Sequence, residues 1–158
     1  MLKPLALCSI AITAILAGRT PVAGAELGGA DEAKAMLVRA IDELKADKLI
    51  AIAEFNRNDP RFRDRDLFVF CFNRGDGRFT AHEAFVGRDV RTLRDAAGNT
   101  FGEDMYRSAK EGRISEVTFK SPVPGATESV SKQAYVTAIG DQVCGVSSYS
   151  FNASAGKQ

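Results

Sequence analysis

Residues 66–73 read DLFVFCFN, and this stretch restricts the fold more than any other in the chain. In an extended strand, Leu67, Val69 and Cys71 point one way and Phe68, Phe70 and Phe72 the other. Both faces are then apolar, and a strand of that kind has to be covered on both sides. The rest of the sequence must supply two covering layers and the neighbouring strands.

Upstream, DEAKAMLVRAIDELK from Asp31 to Lys45 sets Ala33, Leu37, Ala40, Ile41 and Leu44 at three- and four-residue spacings. That spacing predicts an amphipathic helix, with Asp31 placed as its N-cap. A second helical stretch runs from Asp47 to Phe55 and meets Asn58-Asp59-Pro60, where the proline stops it. Downstream, Arg74-Gly75-Asp76-Gly77 has hairpin chemistry and Arg78 to Glu83 forms the returning strand. The Arg-Gly-Asp tripeptide is thereby a turn first, and Gly75 and Gly77 are the residues free to take positive φ. As a metal loop it lacks the several acids an EF-hand needs.

Residues 84–99 form an irregular connector, in which Arg88, Arg91 and Arg94 interleave with Asp89 and Asp95 as a solvated charged surface. Thr100 and Glu103 have the spacing of a capping box that opens a short helix, and Gly112 is placed as its terminating glycine. Three more strands are expected over residues 115–121, 128–139 and 142–151, the last two joined by a tight hairpin at Gly140-Asp141. Helices first and strands afterwards predict an α+β domain on a mostly antiparallel sheet of five strands.

The chain begins with Lys3, an apolar run from Leu5 to Ala17 and Ala23-Gly24-Ala25, the order of a cleavable secretory signal. The run is about 13 residues, short of the roughly 20 a membrane span needs. The mature chain is then expected to start near Glu26, in the periplasm or secreted, with no membrane insertion after signal cleavage; retention as an uncleaved anchor is the alternative. Its domain covers residues 26–151, followed by a disordered tail over 152–158. Cleavage removes Lys3 and Arg19 from the 21 basic residues and none of the 20 acidic ones, leaving a net charge of about −1. Charges of both signs alternate, which argues against a nucleic-acid footprint. Cys71 and Cys144 remain, either as a disulfide of an exported protein or as two buried thiols. No C-x-x-C, phosphate loop, metal cluster or G-x-S-x-G is present, so neither a cofactor nor an enzymatic nucleophile is expected.

The run from Asp66 to Pro124 and the segment ESVSKQAYVTAIGDQVCGVSSYSF carry a further signal. Ala81-His82, the V-G-x-D-x-x-x-L-x-D element from Val86 to Asp95, and the K-x-x-Y-V element at Lys132, Tyr135 and Val136 resemble a single Cache domain of the second type. Such domains are PAS-like extracytoplasmic sensors of small molecules. Glu83 stands where a proline usually follows the histidine, and the chain has no tryptophan. The resemblance implies a sheet in the order 2-1-5-4-3, N-terminal helices on one face and a pocket on the other, roofed by the segment between the second and third strands. It also makes the first and fifth strands neighbours, which brings Cys71 and Cys144 within reach of a disulfide.

What the resemblance implies for function is an exported binding or sensor domain that captures a short carboxylate or an amino acid. The alternative is a structural or interaction module of the cell envelope, with an envelope protein as partner and a degenerate pocket. His82, the only histidine, is placed at the pocket rim or in a structural hydrogen bond to the connector. Lys132 and Tyr135, three apart on a strand, face opposite sides, and Tyr135 is the expected wall residue while Lys132 is either a carboxylate partner or solvated. Phe101, Phe119, Tyr149 and Tyr106 complete the expected ligand-binding set.

Overall fold

The computed structural model describes residues 26–150. The expected leader and C-terminal tail lie outside the described residues. Helix α1 (Ala30–Ala46) buries Ala33, Met36, Leu37, Ala40 and Leu44 along one stripe, as the spacing predicts. Its N-cap is Gly29 rather than Asp31; the Glu32 side chain reaches back to accept from the Gly29 N–H at 2.7 Å. Asp31 stands in the first turn instead, where its charge meets the positive end of the helix dipole. Asp47 caps α2 (Lys48–Asn56), its Oδ1 accepting from the N–H groups of Leu49 and Ile50.

Six strands follow: β1 (Arg63–Asp64), β2 (Leu67–Asn73), β3 (Phe79–Ala81), β4 (Ser115–Pro122), β5 (Ser129–Ile139) and β6 (Gln142–Tyr149). Between β3 and β4 lie a 3-10 turn at Val90–Thr92 and helix α3 (Phe101–Ser108). Every strand pairing is antiparallel, in the path β2-β6-β5-β4, with both β3 and the two-residue β1 paired to β2. This is the α+β architecture expected, with β1 as an addition the sequence did not announce. No described helix is long and apolar enough to cross a membrane.

The two faces of β2 are covered by different layers, as DLFVFCFN requires. Leu67, Val69 and Cys71 join Cys144, Val146 and the α1 and α2 side chains in one core. Phe70 and Phe72 join Phe79, Val90, Leu93 and Met105 in the other. Cys71 and Cys144 stand directly opposite in the β2–β6 register and form a disulfide, with Cα atoms 4.1 Å apart. Both are fully buried on the helix side.

The turn after β2 is closed by side chains more than by glycine. Asn73 Oδ1 accepts from the N–H groups of Gly75 and Asp76, and Asp76 Oδ1 accepts from Arg78 N–H. Gly77 alone in this turn has a positive φ, 75°; Gly75 does not need its conformational freedom. Two further expectations are corrected. Thr100 makes no cap bond, and Glu103 pairs with Arg107 at 2.6 Å instead. Helix α3 ends at Ser108, and Gly112, with φ 71°, serves the tight turn before β4.

Candidate functional site

On the sheet face away from α1, the strand alternation that buries Phe70 also directs Phe68, Lys132 and Ser147 into a cavity of about 180 Å³. These three come from β2, β5 and β6 and form its floor. Phe119 and Ser121 enter from β4. The roof is the connector, which supplies Phe85 and Leu93, together with α3, which supplies Phe101 and Met105. Phe101 and Phe119 close one side as a parallel stack, ring centres 4.3 Å apart and planes 8° off.

Helix α3 can descend onto the 3-10 turn because residue 102 is glycine. A Cβ there would meet the Val90 carbonyl oxygen at 1.8 Å. The charged residues of the connector clamp the neighbouring turn. Arg91 pairs with Asp89 at 2.7 Å and donates to the Asp76 carbonyl. That pairing, with Asp89 also accepting from Arg91 N–H, gives Asp89 and Arg91 a structural task beyond a solvated surface.

His82 follows β3 and stands among phenylalanines: Phe85 stacks on it at 4.5 Å, and Phe79 and Phe68 meet it edge-on at 4.9 and 5.2 Å. Burial pushes its pKa down to about 4, against an upward pull from Glu83, with the charge of Lys132 adding a still smaller downward push. The ring is therefore neutral at pH 7. Its Nδ1 accepts from Ala84 N–H at 3.0 Å, which leaves the ring proton on Nε2 as a donor. The ring lines the cavity, and its Nδ1 accepts from the connector.

Lys132 lines this cavity and also a wider hollow of about 640 Å³. Phe68 and Ser121 are likewise shared, so the hollow is the mouth of the cavity. Its rim carries Arg63, Asp66 and Glu83, with Glu26 and Leu27 from the start of the described chain and Tyr149 from its end. Arg63 is occupied by Asn58 and Glu83, each at 2.9 Å. The Lys132 ammonium lies 4.3 Å from the centre of the Tyr149 ring. Burial lowers its pKa, with Asp66 and Glu83 pulling upward.

The structure thus brings together His82, Phe101, Phe119 and Lys132 at the cavity and Tyr149 at its mouth, where the Tyr149 hydroxyl donates to the Pro122 carbonyl. It does not bring Tyr135 or Tyr106. Tyr135 is on the opposite face, 3% exposed under α1, with Lys34 Nζ 4.7 Å from its ring; the alternation that sends Lys132 inward sends Tyr135 to the helices. Tyr106 stacks on Phe72 and donates to the Arg74 carbonyl at 2.8 Å, so its hydroxyl secures the turn. The sequence reading missed Phe68, Phe70, Phe79 and Phe85. For Phe68 and Phe70 the signal was present, since they share the face of β2 that the roof covers. Among the described residues no group of His, Cys, Asp and Glu is arranged to hold a metal ion.

No sequence-family profile and no curated protein matches the chain. Solved structures do. A methyl-accepting chemotaxis protein from Vibrio parahaemolyticus RIMD 2210633 superposes with a TM-score of 0.59 at 18% identity, over 75% of this chain and 86% of that one. The periplasmic sensor domain of a chemotaxis protein gives 0.56 at 18%, covering 77% and 90%. A Cache chemosensory domain that recognises carboxylic acids gives 0.52 at 19%, covering 75% and 86%. The β2-β6-β5-β4 sheet with helices behind it and a roofed cavity in front is the fold that this chain shares with those domains.

Proposed function

We propose that this protein is an exported, periplasmic sensor-type domain that binds a small organic ligand, such as a short carboxylate or an amino acid, and does not turn it over. The observation that carries the reading is the pairing of Lys132 with the Nε2–H of neutral His82 in one phenylalanine-lined cavity. A positive charge and a hydrogen-bond donor are what a carboxylate needs, and the rings around them suit a small, largely apolar remainder. The volume supports a small ligand. About 180 Å³ holds roughly six waters at their liquid volume of about 30 Å³ each, and lies below the roughly 300–1,000 Å³ of drug-sized pockets.

The solved structures of this fold support the sensor reading, since those named above are a methyl-accepting chemotaxis protein, a periplasmic sensor domain of a chemotaxis protein and a Cache chemosensory domain that recognises carboxylic acids. Export rests on the leader pattern and is checked by the mass of the protein in the periplasmic fraction, expected to begin near Glu26. Binding is tested by a thermal-shift screen of short carboxylates and amino acids, followed by isothermal titration. A ligand at a hundredfold excess over Kd adds about 2.7 kcal/mol of stability. The expected result is a stabilising ligand whose effect is lost in Lys132→Met; stabilisation retained in that variant would sink the reading.

A further inference from the structure

Lys132 differs from the other described lysines in its surroundings. Only Lys34 and Lys132 are withdrawn from full exposure, and Lys34 is paired with Glu116 at 2.9 Å. Among the described residues no carboxylate comes within ion-pairing distance of Lys132 Nζ, which rests against the Tyr149 ring. A paired carboxylate would favour the protonated form, which is not nucleophilic. Instead Lys132 sits at the junction of an aromatic cavity and its mouth, beside two serines and an imidazole donor.

We propose that Lys132 is a reactive amine that captures a small carbonyl compound, a 2-oxo acid or short aldehyde, as a reversible imine. The proposal rests on the reading of this cavity as the ligand site and adds a covalent step to it. In the unprotonated fraction of Lys132, the Nζ lone pair forms a bond to the carbonyl carbon, and the C=O π pair moves to oxygen. That oxygen gains a proton and nitrogen loses one, giving a carbinolamine. Its hydroxyl then leaves as water while the C=N bond forms, so amine plus carbonyl becomes imine plus water with no change of oxidation state.

Each part of the step has a group nearby. The Nε2–H of His82 is a donor to the carbonyl oxygen as charge develops there, and the Ser121 and Ser147 hydroxyls line the same space for proton relay. Desolvation is the largest influence on Lys132 and favours the neutral amine, the form that attacks; Asp66 and Glu83 oppose it and do not outweigh it. Desolvated lysines in apolar pockets are the ones that form Schiff bases.

The test is reductive trapping. The mature protein is incubated with glyoxylate and cyanoborohydride at pH 7, and modified lysines are identified by mass spectrometry after digestion. Lys132 is expected to be labelled at least about tenfold faster than exposed Lys45 or Lys110. Lys132→Arg, which keeps the charge, is expected to lose that fast label while the other sites are unchanged. Labelling of Lys132 no faster than the exposed lysines would overturn the inference. Propionate, which has no aldehyde or ketone carbonyl to condense with an amine, separates this failure from that of the binding reading. Propionate bound without fast trapping overturns the imine alone, and neither bound nor trapped overturns both.

Discussion

Gly102 offers a prediction in which local and tertiary physics disagree about the sign. It lies in the first turn of α3, and Gly→Ala in a helix is ordinarily worth about 1 kcal/mol of stability. Here the added Cβ would stand 1.8 Å from the Val90 carbonyl oxygen and 3.0 Å from Leu93 Cβ. A carbon and a carbonyl oxygen tolerate about 3.3 Å, so α3 would have to rise by about 1.5 Å. The carbonyl cannot turn aside, because it accepts from Leu93 N–H at 3.0 Å and Val90 is fully buried.

Overpacking of this kind costs up to about 3 kcal/mol, which exceeds the propensity gain and leaves Gly102→Ala about 2 kcal/mol less stable. Urea denaturation followed by far-ultraviolet circular dichroism reads the midpoint directly. Because Phe101 and Met105 ride on the same helix, the variant is also expected to bind any cavity ligand more weakly. A variant as stable as the parent, or more so, would show that α3 is not seated on the Val90 carbonyl as described.

Three other outcomes are expected. Replacing both Cys71 and Cys144 by alanine opens a disulfide that spans 73 residues, and should cost roughly 4 kcal/mol in the chain-entropy model, measured by urea titration; a loss under about 1 kcal/mol would refute that account. His82 is protonated in the unfolded chain below about pH 6.5 but in the folded chain only near about 4. Its contribution to stability is therefore full above pH 6.5 and declines as pH falls toward 4, so His82→Gln should flatten the change in urea midpoint between pH 7 and 4.5. Asp76→Ala should leave propionate affinity within about twofold, because Asp76 serves its own turn through Arg78 N–H, whereas His82→Ala should lose about 1 to 3 kcal/mol. Isothermal titration showing equal losses would reverse the assignment of turn and site.

Strand parity made much of this architecture legible. Once Phe68, Phe70 and Phe72 share a face, the cavity floor and the helix-covered core are separated in the sequence itself. The same rule puts Lys132 and Tyr135 on opposite sides, although it does not say which side is the pocket; the ring of Tyr135 suggested a wall, and α1 took it for the core. The roof was harder to read. Phe85 and Leu93 lie in a connector with no repeating period, and their placement depends on the Asp89–Arg91 pair, the Gly77 turn and the close approach at Gly102. A cap at Thr100 was a reasonable local inference, but docking of α3 against Val90 decided how that helix begins. Arg63 and Glu83 meet at the mouth across 20 residues, a distance that local pattern does not reveal.

Glu26 and Leu27 share the rim of the mouth with Tyr149, so the described chain enters and leaves its fold beside the doorway of the cavity. An affinity handle or dye fused directly ahead of Glu26 would stand in that doorway and compete with whatever passes through it. The hairpin at Gly140-Asp141 is the far end of β6, seven strand steps or about 23 Å away, and an attachment there leaves entry clear. A small solvatochromic dye at position 26, compared with the same dye at position 141, turns this arrangement into an occupancy gauge: filling the cavity should change the emission of the first and leave the second as it was.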